Sequence, residues 1–129
     1  YFIGSPGMNV IPAKVEGRQA YVNGSSIDLG QGYRPLDGKV EIGVRPEFAR
    51  LSASDGLPVN IRRVEDVGRH KIVRADFFGT DINIIAGEGE EIGADMTRVV
   101  FDPAHVNVYA NDWRVAPEGA HKGPVGEAA

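Results

Sequence analysis

The sequence predicts an all-β protein with little helix, a sandwich or barrel of short strands. Three observations point there. Gly and Pro together make 25 of the 129 residues, about 19% where average usage is about 12%, and each interrupts a regular helix. The longest stretch free of both spans only 104–116, so a helix bundle, which needs several uninterrupted amphipathic segments, has nowhere to form. Apolar residues alternate with polar ones at 39–45 and 70–78, the period-two pattern of a half-buried strand.

Each element follows from local chemistry. Residues 1–9 are an apolar lead-in broken by Gly4, Pro6 and Gly7. Residues 10–15 and 19–22 read as strands around a turn at Glu16-Gly17-Arg18, and Asn23-Gly24 is a second turn signal. A third short strand is expected at 26–29, followed by a polar, turn-rich loop at 30–38. Val40, Ile42 and Val44 mark the next strand, which Pro46 ends by removing a ladder donor. Residues 48–52 form a short segment closed by Ser54-Asp55-Gly56. A second set of strands follows at 57–67, 70–78, 82–86, 97–101 and 106–110, punctuated by Gly68-Arg69, Gly79-Thr80, an acidic loop at 87–90, and Asp102-Pro103. The break near 54–58 can divide two small β-subdomains. Residues 113–129 are expected to be a flexible tail, small, polar and Gly/Pro-rich from Pro117 onward.

Composition narrows the function. The net charge is −4, with no Lys/Arg run, whereas proteins that grip a nucleic acid backbone usually carry a basic surplus. Nucleic acid is therefore not an expected partner. With no cysteine, a disulfide framework, a Cys-based zinc site and a thiol nucleophile are excluded. No apolar run approaches the roughly 18 residues of a membrane span. The chain starts inside an apolar segment without Met or a basic n-region, and is expected to be a piece of a longer protein.

Catalytic constellations are poor. His70, His105 and His121 are far apart in sequence, and none has a partner at metal-ligand spacing. Ser5, in Gly-Ser-Pro-Gly, lacks the strand–turn–helix context of a nucleophile elbow. Residues 87–93 imitate a dinucleotide fingerprint, but the spacing is off by one and three acids stand where a pyrophosphate would need bare amides. No phosphate loop of the Gly-x-x-x-x-Gly-Lys-Ser/Thr type occurs. Asn23-Gly24-Ser25 matches a glycosylation triplet but reads as a plain turn. Glu65 and Asp66, adjacent on a strand, point to opposite faces and cannot act as one acid/base pair. Phe77, Phe78, Phe101, Tyr109 and Trp113 read as core packing. No catalytic or metal-binding residue is expected.

Two segments are more specific: Phe2-Ile3-Gly4-Ser5-Pro6-Gly7-Met8-Asn9 and, about 35 residues later, Gly43-Val44-Arg45-Pro46-Glu47. In this order they resemble the ATPase subunits of ATP-binding-cassette importers for sugars and related solutes, of the maltose and glycerol-3-phosphate type. Val64-Glu65-Asp66-Val67-Gly68, and Phe101-Asp102 followed by Val106-Asn107-Val108-Tyr109, are similar to further family segments. Departures are Val67 for Leu, Phe48 where a His is common, and the long tail. The resemblance implies an oligonucleotide/oligosaccharide-binding-like (OB-like) β-barrel or an intertwined pair of them. It implies a linker at 1–9 from an upstream nucleotide-binding domain, with Phe2, Ile3, Gly4, Ser5, Pro6, Met8 and Asn9 as interdomain residues. A regulatory domain then spans 10–112. Arg45, Pro46 and Glu47 are candidates for a regulatory or dimer contact, against a plain strand-ending turn with local ion pairing. The implied partners are a second copy, membrane permease subunits and a solute-binding protein. The implied place is the cytoplasmic face of the membrane, peripherally bound. ATP and Mg would belong to the parent subunit, with no cofactor in this part. A small-ligand barrel for a sugar or oxyanion is the competing reading.

Overall fold

The computed structural model describes residues 7–87 and 89–118. Among them the only helical pieces are two three-residue 3-10 turns, at Pro46–Phe48 and Pro103–His105. The strands are β1 (Asn9–Pro12), β2 (Lys14–Val22), β3 (Ser25–Tyr33), β4 (Val40–Val44), β5 (Ala49–Ser52), β6 (Leu57–Pro58), β7 (Asn60–Asp66), β8 (His70–Phe77), β9 (Thr80–Gly87), β10 (Arg98–Phe101), β11 (Asn107–Ala110) and β12 (Trp113–Val115). The all-β expectation holds. The strands form four hydrogen-bonded sets, in the orders β1-β4-β11-β12, β5-β10-β6, β2-β3 and β7-β8-β9, with no closed ring among the described residues.

Alternation places the core. In β8, Val73, Ala75 and Phe77 are buried, while Arg74 and Asp76 between them face the other way. β9 answers with Ile82, Ile84 and Ala86 at the opposing positions or beside them. β4 is central in its sheet, between β1 and β11, and its Ile42, Gly43 and Val44 are all buried. Phe77 of β8 meets Phe101 of β10 edge to face, with ring centroids 5.5 Å apart, so two hydrogen-bonded sets share one apolar interior. Each fully buried Ile, Val or Phe contributes roughly 1.5–3 kcal/mol relative to exposure.

Several elements differ from expectation, each for a local reason. Glu16-Gly17-Arg18 is not a turn. β2 runs through it with Gly17 at φ +62° and a register shift between Gly17 and Gln19, a bulge that bends the strand. The hairpin turn is Asn23-Gly24, both in the left-handed region. β3 continues to Tyr33 through the expected loop, with Gly30 at φ +74° absorbing the irregularity. The strand expected at 57–67 is divided into β6 and β7, which pair with different partners. Trp113–Val115, assigned to the tail, pair with β11 through Val108↔Val115 and Ala110↔Trp113. Asn111 and Asp112, at φ +53° and +73°, make the tight turn that returns the chain. Trp113 is 58% exposed, not core. Residues 119–129 of the expected tail lie outside the described residues.

Candidate functional site

The two sequence segments that carry the resemblance become neighbours. β1 and β4 pair antiparallel with Asn9 opposite Val44 and Val10 opposite Gly43. The strand that begins at Asn9 therefore lies directly along the strand that leads into Arg45-Pro46-Glu47. Phe2, Ile3, Gly4, Ser5 and Pro6 lie outside the described residues.

Gly43 is required by this arrangement. A Cβ there would stand 2.7 Å from Cε1 of Tyr109 and 3.1 Å from Sδ of Met8. Tyr109, buried on β11, lays its ring over the bare glycine, and its hydroxyl donates to Met8 Sδ at 3.7 Å. A glycine inside a strand often marks such a close approach.

Asn9 is polar yet only 3% exposed. Both ends of its amide bond the backbone of Asn83 on β9. Nδ2 donates to the Asn83 carbonyl at 2.8 Å, and Oδ1 accepts from the Asn83 N–H at 2.8 Å. These backbone groups point away from β8, along the otherwise unpaired edge of the β7-β8-β9 sheet. The side chain thus replaces one strand residue and ties β1 to β9. Sequence reading placed Asn9 in a linker. Nothing local marks it as interior, because its partner lies 74 positions away.

Asn83 extends the chain of contacts outward. Its Oδ1 accepts from Arg74 Nη1 at 3.0 Å, and Arg74 holds Glu65 in a bidentate pair, Nε to Oε2 and Nη2 to Oε1, both 3.2 Å. That Arg74 hydrogen bond, with a further contribution from Arg63, keeps the Glu65 carboxyl below the usual carboxylate range. Arg62, Arg63 and Arg74 line an open groove of about 370 Å³ with Asp81 and Asn83. Each guanidinium there already faces a carboxylate: Arg62 meets Asp76 and Asp81, while Arg63 and Arg74 share Glu65. The groove is charge-balanced, not a bare cationic pocket.

Arg45 precedes the first 3-10 turn, and Pro46 and Glu47 lie within it. Pro46 is half-buried, whereas Arg45 and Glu47 are exposed. Among the described residues neither enters an ion pair. The turn abuts the second 3-10 turn. Phe48 stacks on the His105 ring, with centroids 3.7 Å apart and planes within 3°, and Asp102 N–H donates to the Phe48 carbonyl at 2.9 Å. Asp102 caps its own turn by accepting from Ala104 N–H at 3.0 Å, and its other oxygen lies 3.0 Å from His105 Nδ1. These bonds, the Ala104 amide first, lower the Asp102 pKa. His105 therefore has a packing partner that its sequence context did not reveal. Among the described residues no three His, Asp or Glu side chains converge as a metal site.

Residues 4–48 match the family described as the MalK OB fold domain. Over that stretch the chain is similar to a MalK-type OB domain. Its relatives are consistent with this. The sn-glycerol-3-phosphate import ATP-binding protein UgpC of Ruegeria pomeroyi is 37% identical over 115 residues, covering 86% of this chain and 31% of that protein. UgpC of Ruegeria sp. (strain TM1040) is 31% identical over 113 residues, with the same two shares. UgpC 1 of Rhizobium johnstonii is 29% identical over 119 residues, covering 86% of this chain and 32% of that protein. The chain spans about a third of the length of the curated relatives it matches. The OB match covers β1 through the first 3-10 turn, so it contains both the Asn9 clasp and the Arg45-Pro46-Glu47 turn.

Proposed function

We propose that this OB domain is the regulatory and dimerisation domain of the ATPase subunit of an ATP-binding-cassette importer for glycerol-3-phosphate or a related polyol or sugar phosphate. The observation that carries the reading is the MalK-type OB match joined to UgpC relatives that run across 86% of the chain. On this reading ATP and Mg bind elsewhere in the parent subunit, and this part does not hydrolyse ATP. The domain tethers two ATPase subunits, so that their nucleotide domains stay at high effective concentration while they open and close. The parent sits peripherally on the cytoplasmic face of the membrane, with permease subunits and a solute-binding protein as partners.

The geometry suits a tether. Asn9 anchors the lead-in strand to β9 at a buried point, so force on the segment before it is passed to the body of the domain through two short hydrogen bonds. Arg45 and Glu47 stand exposed beside Pro46, whose fixed φ limits their directions, and they are the residues proposed to meet the second copy or a regulatory partner. A chimera tests the proposal. The chain replaces the corresponding region of a UgpC-type subunit, and glycerol-3-phosphate uptake is measured in cells lacking the native subunit. Uptake is expected. A stably expressed chimera with ATPase activity but no transport would refute the assignment.

A further inference from the structure

We infer that two copies of this chain pair through the free edge of β7, antiparallel about a two-fold axis at Val64, to join two three-stranded sheets into one of six. The inference deepens the dimer reading above and rests on it. β7 is the outer strand of its sheet, hydrogen-bonded to β8 alone. From Arg62 to Asp66 its residues are exposed, except half-buried Glu65, and Val67 in the following turn is exposed as well. Val64 and Val67, 42% and 49% exposed, are two of the three large apolar side chains that the described residues leave in solvent.

The sequence around Val64 is antisymmetric in charge: Ile61-Arg62-Arg63-Val64-Glu65-Asp66-Val67. Turning this strand about Val64 sets Arg63 opposite the Glu65 of the second copy and Glu65 opposite its Arg63. Val64 meets Val64, and Arg62, at the bulge, is carried toward Asp66. Cross-strand neighbours of opposite charge attract and like charges repel. An in-register parallel pairing would place Arg on Arg and Glu on Glu, so the charges select the antiparallel, closed two-fold arrangement. Exposed edges are usually blunted by charges and bulges, and β7 has both, with a register shift between Ile61 and Arg63. Here the charges are complementary to themselves under a two-fold rotation, which turns a barrier against indiscriminate pairing into a selector for one partner. Arg63 and Glu65 stand on the side of the sheet away from the core, where Arg74 holds Glu65 in place and Arg63 pairs with Glu65 of its own strand at 2.7 Å; in the dimer Arg63 exchanges that partner for the Glu65 of the second copy, while Arg74 keeps the carboxylate oriented.

Sedimentation equilibrium of the 129-residue chain at micromolar concentration, with charge-swap variants, is the test. Wild type is expected to dimerise, and raised salt to weaken the dimer. Arg63→Glu alone or Glu65→Arg alone places like charges opposite each other twice per dimer, and each should weaken association by about tenfold or more. An equimolar mixture of the two variants restores both pairs and should form a heterodimer near wild-type strength. Val64→Lys keeps its exposed position but puts two ammonium groups on the axis, and should also yield monomers. A dimer indifferent to Arg63→Glu and Val64→Lys would overturn the edge pairing while leaving the dimer reading intact. A monomeric wild type would overturn both.

Discussion

Replacing Asn9 by Ala tests whether the clasp between β1 and β9 holds the fold. The substitution removes two hydrogen bonds of 2.8 Å and strands the N–H and the carbonyl of Asn83. A buried polar group left without a partner costs about 1–3 kcal/mol. Asn83 is half-buried, so water can reach it in part, and the two groups together should cost about 2–4 kcal/mol. For a domain of this size each kcal/mol lowers Tm by roughly 3–5 °C, so the expected drop is about 6–20 °C. Urea unfolding gives the same quantity as a shift in midpoint at constant m. Amide exchange at Asn83 should quicken more than at its neighbours on β9. Asn9→Asp sharpens the assay. The carboxylate still accepts from the N–H but faces the Asn83 carbonyl without a proton to donate, so its folded pKa must rise above the ordinary aspartate value of about 3.9. When protonated it donates as the amide did. The stability difference between the Asn9→Asp variant and wild type should therefore be smallest below that value and widen as pH rises through the folded pKa. An Asn9→Ala protein within about 0.5 kcal/mol of wild type, the scatter of an ordinary surface change, would refute the role of the clasp.

Three further outcomes follow from particular contacts. Gly43→Ala drives a Cβ against the Tyr109 ring, and overpacking of this kind costs about 1–3 kcal/mol; urea unfolding measures it, and a neutral result would mean the ring is free to shift. Gly56→Ala combines a left-handed backbone, φ +92°, with a collision against the Val99 carbonyl, so it should destabilise more than Gly68→Ala, where φ is +96° and the space is open; equal losses would contradict the close approach. The folded pKa of Asp102 is depressed, so its contribution is present above about 3.9, the unfolded value, and is lost as pH falls through the folded pKa; carboxyl NMR should show a midpoint below the free value, and a midpoint at or above it would refute the capping bond.

Much of the architecture was legible because it is written locally. The alternation of Val73, Ala75 and Phe77 against Arg74 and Asp76 names the buried face of β8 directly, and Asn23-Gly24 supplies the left-handed pair that a tight hairpin needs. What escaped was set by distant partners. Glu16-Gly17-Arg18 looks like a turn, yet a glycine at positive φ serves a bulge as well as a hairpin, and only the pairing with β3 decides between them. β12 is three residues long and carries an exposed Trp113, so no apolar period announces it. The stack of Phe48 on His105 joins two 3-10 turns more than fifty positions apart. The two resemblance segments were recognisable as strings, but that they lie side by side as β1 and β4 is a property of the sheet.

The β7-β8-β9 sheet has two edges, and the chain treats them in opposite ways. On the β9 side the exposed peptide groups at Asn83 are consumed by the buried Asn9 amide, and β9 also lies against β5 and the first 3-10 turn. That edge is closed by the domain itself. On the β7 side no strand among the described residues follows, and the residues there are charged in an order that repeats with inverted sign about Val64. Asn83 stands on the path between the two: its backbone receives Asn9, while its side chain receives Arg74, which in turn fixes Glu65 on β7. The same short sheet is thus anchored at one edge through the segment that begins the domain and presents its other edge at a fixed distance from that anchor. The proposed tether needs this division, because an edge that bound a second copy could not also be the edge that holds the domain together.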